Sequence, residues 1–426
     1  MIPYRTVPVK NIFFSKYWYL VPYYRYRYRY IVIMSRDSHD GIENTISWTK
    51  DDDDTTNSNY WVGKPPDFLF IQKEDRDCKN ERTMIQSWLD SLSLKVDGET
   101  LIHSSKPSPI PLYKRRHEDV VKEKDLLYKT LFDSLVTRNP DLSSRITSHK
   151  IDSVPITIFW PNSSSSSLLL FERACVHCHG GGWLFGDSKH QAAERLLEMS
   201  KKINAPVISV EYRMGPNHPY PDAVDDVESI LNWLLSNEQK CRLVLSGESA
   251  GAQLILLAAL RMIRSSKNNN NYSGCIAALN LVYGVYDLAG TYLLQIDGDK
   301  SAPLSGKELQ WMMELHIPSF LKENRTSPEL SPFYADDDFN NGLLPPALFT
   351  VGTADPLLDD TILMASKYAQ SRSNQTKLAI CTGGQHGIGH FGMQENITLG
   401  QKARRYTEDF LVLHLNNDKS QDSLST

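Results

Sequence analysis

Beyond about residue 150 the apolar positions switch repeatedly between the two-residue period of a strand and the three-to-four-residue period of a helix. Val154–Phe159 and Leu168–Cys178 read as strands, and Ala205–Val210 as a short apolar strand containing Pro206. Pro221-Asp222 opens a helix with an acid in its first turn, where the helix dipole favours negative charge. Its apolar stripe is Ala223, Val224, Val227, Ile230, Leu231 and Leu234. Leu243–Leu245 reads as a strand, Ala250–Ile263 as a helix, and Ile276–Val282 and Ala347–Val351 as strands. Lys367-Tyr368-Ala369 belongs to a helix and Leu378–Cys381 to a last strand. This alternation predicts an α/β fold: a mostly parallel central sheet covered by helices on both faces.

Upstream the pattern is different. Residues 1–36 contain no Asp or Glu, and eight of the twenty tyrosines fall before position 31. Tyr24-Arg25-Tyr26-Arg27-Tyr28-Arg29-Tyr30 alternates with the period of a strand. The run Asp51 to Asp54, followed by Thr-Thr-Asn-Ser-Asn, is too polar to order itself by burial. Residues 1–65 therefore read as a disordered extension, or as translated upstream sequence with Met34 a later start. A membrane-surface contact of the aromatic and basic N-terminus is the rival reading. Between about 80 and 140 the period is helical, with Leu127, Tyr128, Leu131, Phe132 and Leu135 on one face and Pro140 as the stop. Ser163–Ser167 and Asn268–Asn271 read as loop tips, and residues 416–426 as a frayed tail.

Composition narrows the class. A chain of 426 residues with 41% hydrophobic and 23% charged residues is an ordinary globular protein. A net charge of -5 argues against nucleic acid as a principal partner. No apolar run approaches the ~20 residues of a bilayer span. The six cysteines read as small apolar residues of a reducing compartment, which with no convincing signal peptide gives a cytoplasmic expectation.

Three clusters carry chemistry. Gly247-Glu248-Ser249-Ala250-Gly251 lies between the strand Leu243–Leu245 and a Leu/Ala-rich helix, the context in which a strained elbow exposes a nucleophilic serine. His179-Gly180-Gly181-Gly182-Trp183 follows a strand, and glycines there allow backbone N–H groups to approach an oxyanion. Gly180, Gly181 and Gly182, with the N–H of Ala250, are the candidate oxyanion donors. Replacing Gly181 by Val is expected to lower kcat with little change in stability. A serine needs a base and the base an orienting acid. Asp355 directly follows one strand; His386 and His390 follow the next, and His386 is the nearer. The order Ser249, Asp355, His386 is the chain order of an α/β-hydrolase triad. Cys175-Val176-His177-Cys178-His179 fits a haem-attachment pattern, but it sits on the strand entering the glycine loop and no further close-spaced zinc ligands accompany it. Haem and zinc are rejected.

With these blocks and Asp355-Pro356-Leu357, the chain resembles the hormone-sensitive-lipase-like branch of the α/β-hydrolases, which contains carboxylesterases and lipases. The stretch Glu211–Ala223 is similar to the family's Y-R-L-A-P-E-x-P-x-P-A-A block, with Met214-Gly215 and Asn217 at departing positions. The family's H-G-F at the base becomes His386-Gly387-Ile388, and His390-Phe391 fits a related pattern. The resemblance implies a hydrolase domain over about residues 80–415, with a cap built from 80–150 and 288–341. It also implies a small-molecule carboxylic ester as substrate, short- to medium-chain or aromatic, and no metal or organic cofactor. The rival within the scaffold is a ligand-binding receptor or dehydratase-like protein. The sequence does not fix the oligomeric state.

Overall fold

The apolar runs become the strands of one sheet because each is flanked by helices that bury both of its faces. The computed structural model describes residues 111–163, 171–236, 241–269, 275–290, 304–339, 344–370, 376–381, 384–388 and 398–416, together with strands at 28–32, 46–50, 67–71, 93–96 and 99–103. The chain divides into two units, residues 1–65 and 66–426. In the first, β1 (Tyr28–Val32) pairs antiparallel with β2 (Ile46–Lys50), so part of the stretch read as disordered is a ribbon; the Tyr/Arg alternation reaches into β1.

In the second unit the strands are β3 (Asp67–Ile71), β4 (Ser93–Val96), β5 (Glu99–His103), β6 (Ile146–Ile151), β7 (Val154–Phe159), β8 (Arg173–Cys178), β9 (Val207–Val210), β10 (Arg242–Glu248), β11 (Ile276–Val282), β12 (Ala347–Gly352) and β13 (Thr376–Cys381). The helices are α1 (His117–Arg138), α2 (Ala193–Ile203), α3 (Asp222–Ser236), α4 (Ala250–Asn269), α5 (Gly306–His316), α6 (Leu358–Ala369) and α7 (Thr398–Asn416). Among the described residues nine strands form one sheet in the order β3-β13-β12-β11-β10-β8-β9-β7-β6. It is parallel from β3 to β9, and antiparallel where β7 meets β9 and β6 meets β7.

Side chains along each strand alternate between two cores, as a pleat requires. Ala174, Val176, Leu243, Leu245, Leu279, Leu281, Phe349 and Val351 join the core under α3 to α6. Cys175, Val244, Ala278 and Leu348 join the second, which holds buried residues of α2 and α7. Cys175 and Cys178 thus face opposite sides of the sheet, which excludes the paired haem or zinc use of C-x-x-C. Burial pushes the Cys175 thiol up to about 12. Among the described residues no His/Cys/Asp/Glu group could hold a metal ion, and no helix is long and apolar enough to cross a membrane.

The structure departs from the sequence reading at several places. β4 and β5 pair antiparallel inside the stretch read as helical; the Asp97-Gly98 between them is a hairpin-forming dipeptide. β6, within the region expected to cap the site, lies in the main sheet, turned back by Asp152 and Ser153 at φ +46° and +74°. Its solvent-facing side needs no apolar alternation. α4 continues to Asn269, past the expected end, so the loop at Asn268–Asn271 starts later. Leu168–Leu170, residues 164–167 of the serine run, residues 417–426, His390 and most of 288–303 fall outside the described residues.

α5 sits over the chain near the glycine loop. Ser305 and Glu308 close a reciprocal capping box at its start, and Leu112 N–H donates to Glu308 Oε1 at 3.2 Å. At its end His316 is fully buried, stacked on Trp183 with ring centroids 4.6 Å apart, and neither imidazole nitrogen has a hydrogen-bonding partner. Burial lowers its pKa from 6.5 to about 3. Because the unfolded imidazole binds a proton that the folded one excludes, this site contributes full stability above pH 6.5 and loses it as pH falls toward 3. The slope is about 1.4 kcal/mol per pH unit. His316→Phe keeps the stack and removes the buried nitrogens, so Tm measured from pH 8 to pH 5 should fall less steeply than in the unsubstituted protein. Parallel acid limbs would contradict a buried neutral imidazole here.

Candidate active site

Ser249 stands between the last residue of β10 and the first of α4 with φ at +53°, a left-handed conformation that costs a non-glycine residue about 1–3 kcal/mol. The flanking glycines make this turn sterically feasible. A Cβ on Gly247 would collide with the backbone of Gly251, and one on Gly251 with the carbonyls of Cys178 and His179. The second contact presses the elbow against the start of the glycine loop. Ser249 N–H donates to Val282 O at 2.9 Å, tying the elbow to the end of β11.

The candidate acid and base come from adjacent strand ends. Thr353 N–H donates to Cys381 O at 3.0 Å and Ala354 N–H to Gly384 O at 2.8 Å, lacing the loop after β12 to the loop after β13. A Cβ at Gly352 would strike the Gly384 carbonyl, so glycine permits this approach. Across it, His386 Nδ1 lies 3.0 and 3.1 Å from the two Asp355 oxygens. His386 Nε2 lies 3.1 Å from Ser249 Oγ. Asp355 is buried and also accepts from Leu357 N–H at 2.9 Å, which leaves its carboxylate a fixed direction.

The glycine loop lies against the serine: a Cβ at Gly180 would stand 3.2 Å from Ser249 Cβ and 3.2 Å from Glu248 O. Gly181 and Gly182 have φ of +117° and +59°. A Cβ on Gly181 would collide with the carbonyl of Phe185, and Gly181 O accepts from Leu184 N–H at 3.1 Å. Gly181→Val must therefore disturb folding as well as the loop, contrary to the expectation of little change in stability. Ala250 is the first residue of α4, where a helical N–H has no intrahelical acceptor. Behind the loop, His179 stacks on Tyr212 at 4.3 Å and Tyr212 O–H donates to His179 O at 2.8 Å. Trp183 Nε1 donates to Gln253 Oε1 at 2.9 Å, and Met312 of α5 covers Gly182. Arg213, in the block with departing residues, is held by Asp226 at 2.9 Å and Asp222 at 3.0 Å.

Of the residues that sequence reasoning assigned to one site, Ser249, Asp355 and His386 lie in hydrogen-bonding reach of one another, Ala250 follows the serine and Gly180 lies against it, while Gly181 and Gly182 continue the loop toward Phe185 and Met312. Sequence reasoning missed a polar layer beneath. Buried Arg195 of α2 donates to Glu248 Oε2 at 2.8 Å, and Tyr283 O–H donates to the same oxygen at 3.2 Å. His177 on β8 lies 3.3 Å from Arg195 Nη2. The one available signal was a charged residue at the helix position preceding Leu196 and Leu197. Burial and the nearby Glu248 charge hold the Tyr283 phenol well above its ordinary value, so it stays protonated and donates.

Comparison with known proteins bears on this geometry. An esterase of Acinetobacter venetianus is 30% identical over 211 residues, 49% of this chain and 63% of its own length. Carboxylesterase NlhH of Mycobacterium tuberculosis is 25% identical over 214 residues, 49% of this chain and 62% of its own. The chain thus spans less than two thirds of either relative. Among solved structures, a thermostable esterase from Pseudomonas putida superposes with a TM-score of 0.62 at 19% identity, over 79% of this chain and 98% of that one, a likeness of fold. The profile of the Abhydrolase_3 family, alpha/beta hydrolase fold, matches residues 175–390, from the strand entering the glycine loop to the loop carrying His386. The sheet order, the elbow and this match agree, and the chain belongs to that hormone-sensitive-lipase-like family of α/β-hydrolases.

Proposed function

We propose that the protein is a carboxylesterase-type serine hydrolase in which Ser249 is the nucleophile, His386 the base and Asp355 the orienting acid. The observation that carries this reading is the single imidazole spanning Asp355 at 3.0 Å and Ser249 at 3.1 Å. Asp355 accepts from Nδ1–H, which leaves the Nε2 lone pair directed at the serine hydroxyl. His386 takes the Ser249 proton as Oγ attacks the ester carbonyl. The imidazolium formed is stabilised by Asp355 and returns the proton to the leaving alcohol. Water then attacks the acyl-serine by the same exchange and releases the acid. The N–H groups of the Gly180–Gly182 loop and of Ala250 hold the oxyanion in each tetrahedral state. The chemistry needs no metal or organic cofactor. The substrate class is a carboxylic ester of short to medium chain or with an aromatic group, in keeping with the apolar Met312 and Trp311 on α5 and with relatives named esterase and carboxylesterase.

Turnover of p-nitrophenyl esters from acetate to decanoate tests the reading. Ser249→Ala should lower kcat by about 10⁴-fold or more while the protein keeps its fold by circular dichroism. His386→Ala should do the same, whereas His390→Ala should change kcat by less than about tenfold. Full turnover in Ser249→Ala would refute the nucleophile, and the reverse histidine pattern would move the base to His390.

Gly180→Ala tests the oxyanion loop with less damage than a change at Gly181, because its backbone is not left-handed and the added methyl meets atoms at 3.2 Å rather than a collision. The methyl displaces the loop from Ser249 by a few tenths of an ångström, and kcat should fall by about ten- to a hundredfold with Tm lowered only slightly. Unchanged kcat would remove this loop from the oxyanion site.

A further inference from the structure

The end of β11 touches Ser249 and His386 and is hydrogen-bonded to the strand that leads to Asp355, although no residue there belongs to a recognisable motif. Val282 O accepts the Ser249 N–H at 2.9 Å. Tyr283 N–H donates to Thr350 O on β12 at 2.6 Å, the strand that leads to Asp355. The Tyr283 ring lies against the His386 imidazole, with centroids 4.8 Å apart and planes inclined at 59°. Tyr283 is itself over-determined: it is 3% exposed, its φ is +36°, and its hydroxyl is anchored on Glu248, which Arg195 of α2 holds in turn. A bulky residue keeps a left-handed backbone only where its surroundings enforce it, and such enforcement concentrates at functional sites.

The imidazole needs this support. Asp355 fixes the position of Nδ1 but leaves the ring free to swing about that hydrogen bond. The loop carrying His386 is glycine-bounded, with Gly384 before it and Gly387 at φ +87° after it. A hydrogen bond at one nitrogen cannot by itself hold Nε2 on the serine oxygen, and a second surface against the ring can. We propose that Tyr283 is a positioning residue, a shelf braced by Glu248 and Arg195 that holds the His386 ring in the plane joining Asp355 to Ser249. This rests on the esterase reading and adds to it a residue that touches neither substrate nor the attacked bond. Ground-state ester binding does not depend on the angle of the imidazole, so loss of the shelf falls on kcat and leaves KM alone.

The test measures kcat and KM for p-nitrophenyl acetate in Tyr283→Phe, Tyr283→Leu, Ser249→Ala and His386→Ala, with kcat of the unsubstituted protein and the two Tyr283 variants normalised to sites titrated by a fluorophosphonate, and that of Ser249→Ala and His386→Ala to total folded protein. Tyr283→Leu should lose about ten- to a hundredfold in kcat per titrated site, with KM within about threefold of the unsubstituted value. Tyr283→Phe, which keeps the ring and loses its anchor, should recover most of that loss. A purely structural tyrosine predicts fewer titratable sites with full kcat at each, and that result would overturn the proposal. A Tyr283→Leu variant whose kcat and KM fall together, or a Phe variant no better than Leu, would also overturn it. Undiminished turnover in Ser249→Ala or His386→Ala would instead overturn the underlying triad, and the shelf with it.

Discussion

One backbone contact sets the terms for the rest of the site: Gly251, the second residue of α4, lies against the carbonyls of Cys178 and His179 with no room for a Cβ. It joins two pieces of chain, the turn at Ser249 and the start of the glycine loop some seventy positions earlier, at van der Waals distance. Neither piece is stable in that shape by itself. Ser249 sits at φ +53° and Gly181 and Gly182 at +117° and +59°, conformations that the surrounding sheet and α4 must impose. The parallel strands β8, β10, β11 and β12 supply that rigidity, since the elbow and the loops after β8 and β12 leave the sheet at the same carboxyl edge.

The same economy appears on the other side of the serine. The loops after β12 and β13 are tied by backbone hydrogen bonds from Thr353 and Ala354, and only then do Asp355 and His386 come within 3.0 Å. The carboxylate is buried and oriented by Leu357 N–H before it meets the imidazole. Beneath both, Arg195, Glu248, His177 and Tyr283 form a buried polar layer. Such a layer adds little net stability when complete, but removing one member leaves a buried charge exposed to apolar surroundings, at a cost of about 3–5 kcal/mol.

What the sequence revealed follows from what each position demands. Gly247, Gly251 and Gly180 to Gly182 were legible because close backbone approach or positive φ admits little else, and that demand is written in residue type. Asp355 and His386 were legible through chain order on alternating strands. α2 was not, because Ala192 offers no side-chain cap and a charged start obscures the apolar stripe of Leu196, Leu197 and Ile203. β6 was hidden because one of its faces is open to solvent, so Ile-Thr-Ser-His-Lys-Ile carries no run of apolar residues. Tyr283 was beyond reach. Its place rests on a ring contact with His386 and a hydroxyl partner from β10, and no spacing along the chain encodes either.

With Ser249 as the proposed reacting group, served by the His386 imidazole, peptide mapping by mass spectrometry after treatment with a fluorophosphonate should find one phosphonyl adduct per chain, on Ser249, formed at a rate that collapses in His386→Ala. An adduct on any other residue, or labelling of Ser249 at an undiminished rate without the imidazole, would contradict it.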